Sequence, residues 1–312
     1  MKDAYNRDIR YLRLSVTDRC NYRCRYCMDE HAPISPRDPA SAEELAEIAQ
    51  ACYRLGIDKI RLTGGEPLMR GDIVELCRMI RAISPDIELA MTTNGSMLPI
   101  YADKLKAAGL SRLNISLDTL DRERFRSLTR VGELDDVMSG IDAADNAGFS
   151  GTKINAVLIG GVNDDEVPAV AALAQTRDVS VRFIELMPMH VVSGWDDSCY
   201  ISAERVMPLL GELTPVGFDG VTQLYSKDGW RGTVGFITPM SHRFCHRCDR
   251  VRVTADCKLK PCLHSNEEID LKGIKGDKLL ETIRTGILQK PLSHHLEDRR
   301  TDTSRYMNEI GG

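Results

Sequence analysis

Residues 10–186 predict an α/β chain: a partial parallel β/α barrel of six βα units, closed by a smaller C-terminal α+β domain. Three observations carry this. Short β-branched runs alternate with segments of helical apolar spacing. The strands hold polar residues on one face. After Pro188 the alternation stops.

The strands are expected at Tyr11–Thr17, Asp58–Thr63, Ile87–Thr92, Arg112–Leu117, Thr152–Ile159 and Val179–Leu186. Ser41–Leu55 opens on Ser41-Ala-Glu-Glu44, the spacing of a capping box, and reads as the first helix. Asp72–Ile83 repeats Ile73, Leu76, Met79, Ile80 and Ile83 at helical spacing. Tyr101–Ala108, Leu134–Ala147 and Asp165–Thr176 follow the same logic, and Gly56, Gly109 and Gly148 stand where helices should stop. Six units are too few for a closed eight-stranded barrel, so the count alone allows a partial barrel or an open doubly wound sheet.

Side chains alternate faces along a strand, and that pattern bears on the choice. Leu12, Leu14 and Val16 oppose Arg13, Ser15 and Thr17. Leu113, Ile115 and Leu117 oppose Asn114, Ser116 and Asp118. Ile154 and Ala156 oppose Lys153 and Asn155. An ordinary barrel lumen is packed with aliphatic side chains. Here the polar face is expected to line an interior cavity, where water or a polar ligand must satisfy it. Beyond Pro188 the reading is loops over His190–Ser198, a short helix at Ser202–Leu210, strands near Val221–Tyr225, Thr233–Ile237 and Arg250–Thr254, and a helix at Lys278–Thr285. The domain boundary is set near residue 190, dividing the chain into 1–190 and 191–312.

The 312 residues are 42% hydrophobic and 28% charged, as expected of a soluble globular protein. A net charge of −5 excludes a general nucleic-acid or membrane binder, so any anionic ligand needs a local basic cluster. The polar N-terminus is no secretory signal, and no apolar run is long enough for a membrane span. With 10 cysteines and no export signal, the expected compartment is a reducing cytoplasm, with thiols used for metal.

The densest chemistry lies in Cys20-Asn-Tyr-Arg-Cys24-Arg-Tyr-Cys27. Three thiols in eight residues are too close for independent core cysteines, and their odd number does not suit disulfides. They suit zinc or an iron–sulfur cluster. A structural site normally takes four protein ligands, so three leave one position open for a small molecule. The alternative is a zinc knuckle completed from elsewhere, for instance by His31. Thr63-Gly64-Gly65-Glu66-Pro67 ends the second strand, where functional residues of α/β barrels gather. Its two glycines permit close backbone approach to a ligand, and Glu66 offers an acceptor to an ammonium group.

The cysteine spacing, with Tyr26 before the last cysteine, and Gly64-Gly65-Glu66-Pro67 resemble the two motifs of the radical S-adenosylmethionine (SAM) superfamily. The resemblance implies a 4Fe–4S cluster on Cys20, Cys24 and Cys27, whose fourth iron is chelated by SAM. One electron then cleaves SAM to a 5′-deoxyadenosyl radical. A second group, Cys245-x2-Cys248-x13-Cys262, is again three ligands, within Phe244-Cys-His-Arg-Cys-Asp-Arg250-Val-Arg252. It resembles the C-terminal motif of the GTP 3′,8-cyclase family, the molybdenum cofactor biosynthesis protein A family. The match continues through Leu12–Asp18, Arg61–Pro67, Thr92–Gly95, Asn114–Asp118, Lys153–Asn155, Arg182–Pro188 and the terminal Gly311-Gly312.

That resemblance implies two 4Fe–4S clusters and SAM as cofactors, GTP as substrate, and (8S)-3′,8-cyclo-7,8-dihydroguanosine 5′-triphosphate as product, in the first step of molybdenum cofactor biosynthesis. Tyr26, Gly64, Gly65, Glu66, Thr92, Ser116 and Met187 would contact SAM. Arg13, Arg61, Lys153, Arg182, Arg250 and Arg252 would surround the nucleotide, whose guanine binds the open iron of the second cluster. Arg250, Arg252 and the Gly311-Gly312 tail would assist catalysis. Expected partners are a downstream cyclic pyranopterin monophosphate synthase, an electron donor such as flavodoxin or ferredoxin, and a second copy in a homodimer.

Two departures stand out. The family has Asn where this chain has Asp249, and Gly where it has Cys257. Cys257 could complete a four-cysteine zinc site with Cys245, Cys248 and Cys262. The preferred reading is a bystander at a turn glycine's place. Two alternatives to the cyclase are a non-catalytic protein with two structural zinc sites and a peptide-modifying radical SAM enzyme with auxiliary clusters. The basic cluster argues against a peptide substrate. Cys52, Cys77 and Cys199 read as small hydrophobes, and His294 and His295 as surface residues.

Overall fold

The computed structural model describes residues 1–32, 39–189, 197–294, 296 and 301–311. Residues 190–196, His295 and Gly312, named above, lie outside the described residues. The six expected strands form within two residues of their expected ends: β1 (Tyr11–Ser15), β2 (Lys59–Thr63), β3 (Glu88–Thr93), β4 (Arg112–Ser116), β5 (Thr152–Leu158) and β6 (Val179–Glu185). They pair in chain order, all parallel.

The crossovers carry α1 (Ala42–Arg54), α2 (Ile73–Ile83), α3 (Leu98–Ala107), α4 (Arg122–Thr129), α5 (Leu134–Asn146), α6 (Val167–Ala171) and α7 (Leu173–Thr176). The capping box forms: Glu44 N–H donates to Ser41 Oγ at 3.2 Å, and Ser41 N–H to Glu44 Oε2 at 3.0 Å. Helix α3 starts at Leu98, ahead of the expected Tyr101, because Pro99 suits a first helical turn. Helix α4 was not expected. Only Phe125 and Leu128 give its sequence an apolar face, and Asp121 caps it through Arg124 N–H at 2.8 Å. The expected Asp165–Thr176 helix is instead a 3₁₀ turn followed by α6 and α7.

The apolar strand face packs against these helices. Leu12, Leu14, Ile60, Leu62, Leu113, Ile115 and Ile154 are wholly buried with Leu45, Ile73, Leu76 and Leu105 from α1, α2 and α3. The polar face is turned inward. The chain beyond β6 does not stand apart from this sheet. It adds β7 (Thr214–Asp219), β8 (Thr222–Ser226), β9 (Thr233–Ile237), β10 (Arg250–Val253), β11 (Lys258–Lys260) and β12 (Ile269–Asp270), with α8 (Ala203–Val206), α9 (Gly276–Leu288) and α10 (Met307–Ile310).

The strand order among the described residues is β12-β11-β10-β1-β2-β3-β4-β5-β6-β9-β8-β7. Strand β10 joins β1 in parallel and β9 joins β6 in parallel. The later chain therefore extends both edges of the six-stranded arc and ends each in antiparallel strands. Strands β7, β11 and β12 were not expected: β7 contains Pro215 and Gly217, and the others are three and two residues long.

Candidate active site

Strand register turns the polar face into rungs. Arg252, Arg13 and Arg61 stand side by side on β10, β1 and β2, and Arg250, Tyr11 and Lys59 form the next rung. Across the arc, Asn114 pairs with Lys153, Ser116 with Asn155, and Asn155 with Arg182. These side chains line one cavity of about 360 Å³. Like charges on adjacent strands repel, and burial deepens the cost. Arg61 and Arg252 nevertheless find neutral hydrogen-bond partners. With the Asn114 amide oxygen turned toward it, Arg61 Nη1 donates at 2.7 Å, and Arg252 donates to the Gly311 carbonyl. Burial, then the neighbouring Arg250, pulls Arg252 down to about 10; burial also lowers Arg61.

The two cysteine groups sit at opposite ends of this lining. Cys20, Cys24 and Cys27 follow the C-terminal end of β1. Cys245 and Cys248 lie in and just after a 3₁₀ turn that precedes β10, the parallel neighbour of β1. Cys262 follows β11, which runs antiparallel to β10 and so returns to the same end. All six thiols border the cavity, with the arginine rungs between the two groups. The five residues of β1 rise about 17 Å. Arg13, Arg61, Lys153, Arg182, Arg250, Arg252, Tyr26, Gly64, Gly65, Thr92, Ser116 and Met187 also border it.

Residues 14–174 match the family described as Radical SAM superfamily, and residues 179–296 the one described as Molybdenum Cofactor Synthesis C. A GTP 3′,8-cyclase from Alkaliphilus oremlandii is 43% identical over 320 residues, covering 100% of both chains. One from Peptoclostridium acidaminophilum is 45% identical over 318 residues, covering 99% of this chain and 98% of that protein. The chain belongs to the GTP 3′,8-cyclase family of the radical SAM superfamily. Among solved structures, Streptococcus suis SuiB is similar in fold, with a TM-score of 0.67 at 13% identity over 96% of this chain and 78% of that one. Methylornithine synthase has a TM-score of 0.56 at 17% identity over 95% and 86%. At such identities the likeness concerns fold alone.

Membership in the GTP 3′,8-cyclase family brings 4Fe–4S clusters and SAM as cofactors. The cavity suits them. Each loop offers three thiols, and four buried atoms on the wall, Thr92 Oγ1, Asn155 Oδ1, Arg61 Nε and Arg250 Nε, have no hydrogen-bond partner. Among the described residues no three His, Cys, Asp or Glu side chains converge on a single-ion site. A cubane cluster spreads its thiolates over separate irons. His31 is exposed, and Cys257 is 1% exposed within the core, away from the cavity lining. The Cys257 backbone has φ 61°, the left-handed region a turn glycine favours. Cys257→Gly is thus expected to leave the iron content of the reconstituted protein unchanged. Backbone relief and loss of a buried thiol, each about 1 kcal/mol, should nearly cancel in a denaturation curve.

The glycine pair, besides bordering the cavity, permits a close approach of two backbones. A Cβ on Gly64 would lie 2.1 Å from Thr17 O, and one on Gly65 would lie 2.3 Å from Arg19 O. The pair lets the loop press on the backbone leading into Cys20, held by Gly65 N–H to Thr17 O and Glu66 N–H to Arg19 O, both at 2.8 Å. Glu66 needs correction as a cofactor contact. Its carboxylate is fully buried off the cavity lining and accepts from Leu68 N–H at 3.0 Å, Thr93 Oγ1 at 2.7 Å and Asn94 N–H at 2.6 Å. Burial pushes it up to about 7 against the pull of those donors. It ties the loop to the end of β3.

Tyr26 donates to Asp118 Oδ2 at 2.7 Å, and Asp118 also accepts Val157 N–H at 2.8 Å. Burial pushes the Cys20 thiol up to about 11 and Cys27 to about 12, so loading a metal there must release protons. At the other end, Lys290 and Arg250 outweigh burial and hold Cys248 below its ordinary value.

The tail reaches the same place. Met307 N–H donates to Cys27 O at 3.2 Å, Asn308 Nδ2 to Asp18 O at 2.8 Å, and a Cβ on Gly311 would lie 2.5 Å from Thr63 Cγ2. Among the cavity residues that sequence reasoning missed are Arg7, Asp219, His264 and Lys290. Asp219, the last residue of β7, pairs with Lys153 and with Arg182 at 2.6 Å. His294 also borders the cavity, edge-on to His264 at 5.3 Å between ring centroids, rather than lying on the surface.

Proposed function

We propose that this chain is a GTP 3′,8-cyclase, a radical SAM enzyme of molybdenum cofactor biosynthesis, working in the cavity between its two cysteine loops. One observation carries the residue assignment. The rung Arg252–Arg13–Arg61 lies buried between two three-thiol loops at opposite ends of the same strands. Such a row needs a polyanion, and a guanidinium fork matches phosphate oxygens.

A cluster on Cys20, Cys24 and Cys27, when bound, supplies the electron that cleaves SAM and so starts hydrogen abstraction. Tyr26, Gly64, Gly65, Thr92, Ser116 and Met187 shape the SAM end of the cavity. Arg13, Arg61, Arg252, Arg250, Lys153 and Arg182 take the triphosphate and hold the nucleotide along the strands. Cys245, Cys248 and Cys262 hold the second cluster where the base would meet it. Fixing ribose and base together removes the freedom that cyclisation would otherwise have to lose. The arginines are too many for a peptide substrate, and two closed zinc sites would leave the row without a counterion.

We further assign the product to a cyclic pyranopterin monophosphate synthase, the electron to a flavodoxin or ferredoxin, and the location to the cytoplasm. Among the described residues no helix is long and apolar enough to cross a membrane.

Lys153 gives a pH test. Burial first, then Arg182, lowers it to about 7 despite its bond to Asp219. Only the protonated amine attracts phosphate, and bound phosphate raises its pKa in turn. Nucleotide affinity should therefore weaken as pH rises above about 7, by up to tenfold per unit. Titrating GTP into the reconstituted protein between pH 7 and 9 measures this. Lys153→Arg should flatten the profile; an equally steep profile in that variant would remove Lys153 from the phosphate site.

A further inference from the structure

The second cysteine group is drawn from two loops that are separated in sequence by β10 and β11 and that no disulfide joins. Cys245 and Cys248 precede β10, and Cys262 follows β11. Two buried cations, neither part of the arginine rungs, tie these loops together. Arg7 is 7% exposed and Lys290 4% exposed, and both border the cavity.

Arg7 comes from the far N-terminus. Residues 1–9 fold into a tight hairpin, with Ile9 N–H donating to Met1 O at 2.8 Å and Asn6 in the left-handed region at φ 64°. Asp3 braces Arg7, accepting from Nε at 2.6 Å and from its backbone N–H at 2.9 Å. The rest of the guanidinium is spent on carbonyls: Cys245 O at 3.0 Å, Leu292 O at 2.9 Å and Pro291 O at 2.7 Å. Beside it in sequence to those carbonyls, Lys290 Nζ donates to Arg250 O at 2.8 Å and Pro261 O at 2.7 Å. One short segment, 290–292, is thus bound to the main chain at Cys245, two residues past Cys248, and at the residue before Cys262.

We propose that Arg7 and Lys290 are positioning residues for the second cluster: they set the spacing of Cys245, Cys248 and Cys262. The Lys290 ammonium also offsets the charge of a thiolate-bound cluster, whereas Asp3 already balances Arg7. A cation that satisfies two or three carbonyls cannot be removed without leaving buried acceptors bare. This proposal rests on the two-cluster reading above.

The test uses the full chain, its Arg7→Gln and Lys290→Met variants, and Arg7→Lys as the conservative control. Each is reconstituted without oxygen; iron, sulfide and the electron paramagnetic resonance of the reduced protein are measured, with SAM and with GTP added. The wild type should hold about eight irons, four per cubane. Arg7→Gln and Lys290→Met should fall toward about four, keeping the signal that SAM perturbs and losing the one that GTP perturbs. Arg7→Lys, which keeps the charge and part of the donor set, should recover part of the lost iron. If both variants retain the full iron content and an unchanged GTP-sensitive signal, the proposal is wrong. Loss of both signals together also overturns it, because it would assign these residues to general stability. A wild type holding one cluster would instead overturn the two-cluster reading.

Discussion

Replacing Arg252 with alanine is expected to lower GTP cyclisation by about a hundredfold or more while both clusters still load. The residue is 5% exposed, stands in the rung with Arg13 and Arg61, and donates to the Gly311 carbonyl. A charge-assisted hydrogen bond contributes about 1.5–3 kcal/mol, so losing a two-pronged phosphate contact reaches that size. Product formed per chain, measured beside iron content, checks it. Arg252→Lys should recover only part of the rate, because an ammonium lacks the planar fork. Unchanged turnover in Arg252→Ala would take the residue out of the site.

Deleting Gly311 and Gly312 should cost about a hundredfold in cyclisation and leave SAM cleavage running, now uncoupled from product. The tail is fastened well upstream of its end. Arg305 pairs with Glu268 at 2.6 Å and Asp256 at 3.1 Å, and Tyr306 donates to Asp29 Oδ2 at 3.1 Å. The deletion therefore removes the tip without releasing the anchor. Gly311 has φ 82° and packs on Thr63 and Gly64, so a side chain there would meet the loop it touches. Gly311 and Arg252 share a hydrogen bond, so the deletion and Arg252→Ala together should cost less than the product of their separate effects. Coupled product formation at the wild-type level in the deleted chain would make the tail dispensable.

Much of this site is legible locally. Each cysteine group declares itself by spacing, and the six central strands by their β-branched runs. The polar lumen follows from alternation, since Arg13 and Lys153 fall on the face opposite Leu14 and Ile154. What stays hidden depends on distance along the chain. Arg7 meets Cys245 across 238 residues, and Lys153 meets Asp219 across 66, so no window of sequence contains either pair. Glu66 shows the opposite failure. Its motif is local, but the carboxylate turns into the protein to satisfy Leu68, Thr93 and Asn94 instead of bordering the cavity. Strands β11 and β12, three and two residues long, are too short for alternation to mark them and are held by their neighbours rather than by propensity.

The proposed cyclisation requires two cluster sites, each with one open iron, facing a shared basic cavity. Electron paramagnetic resonance of the reduced, anaerobically reconstituted chain, titrated with SAM and GTP separately, addresses this most directly. Two signals are predicted. SAM should shift the one that Cys24→Ala abolishes, and GTP the one that Cys248→Ala abolishes. A single signal answering to both ligands, or a second cluster indifferent to GTP, would contradict it.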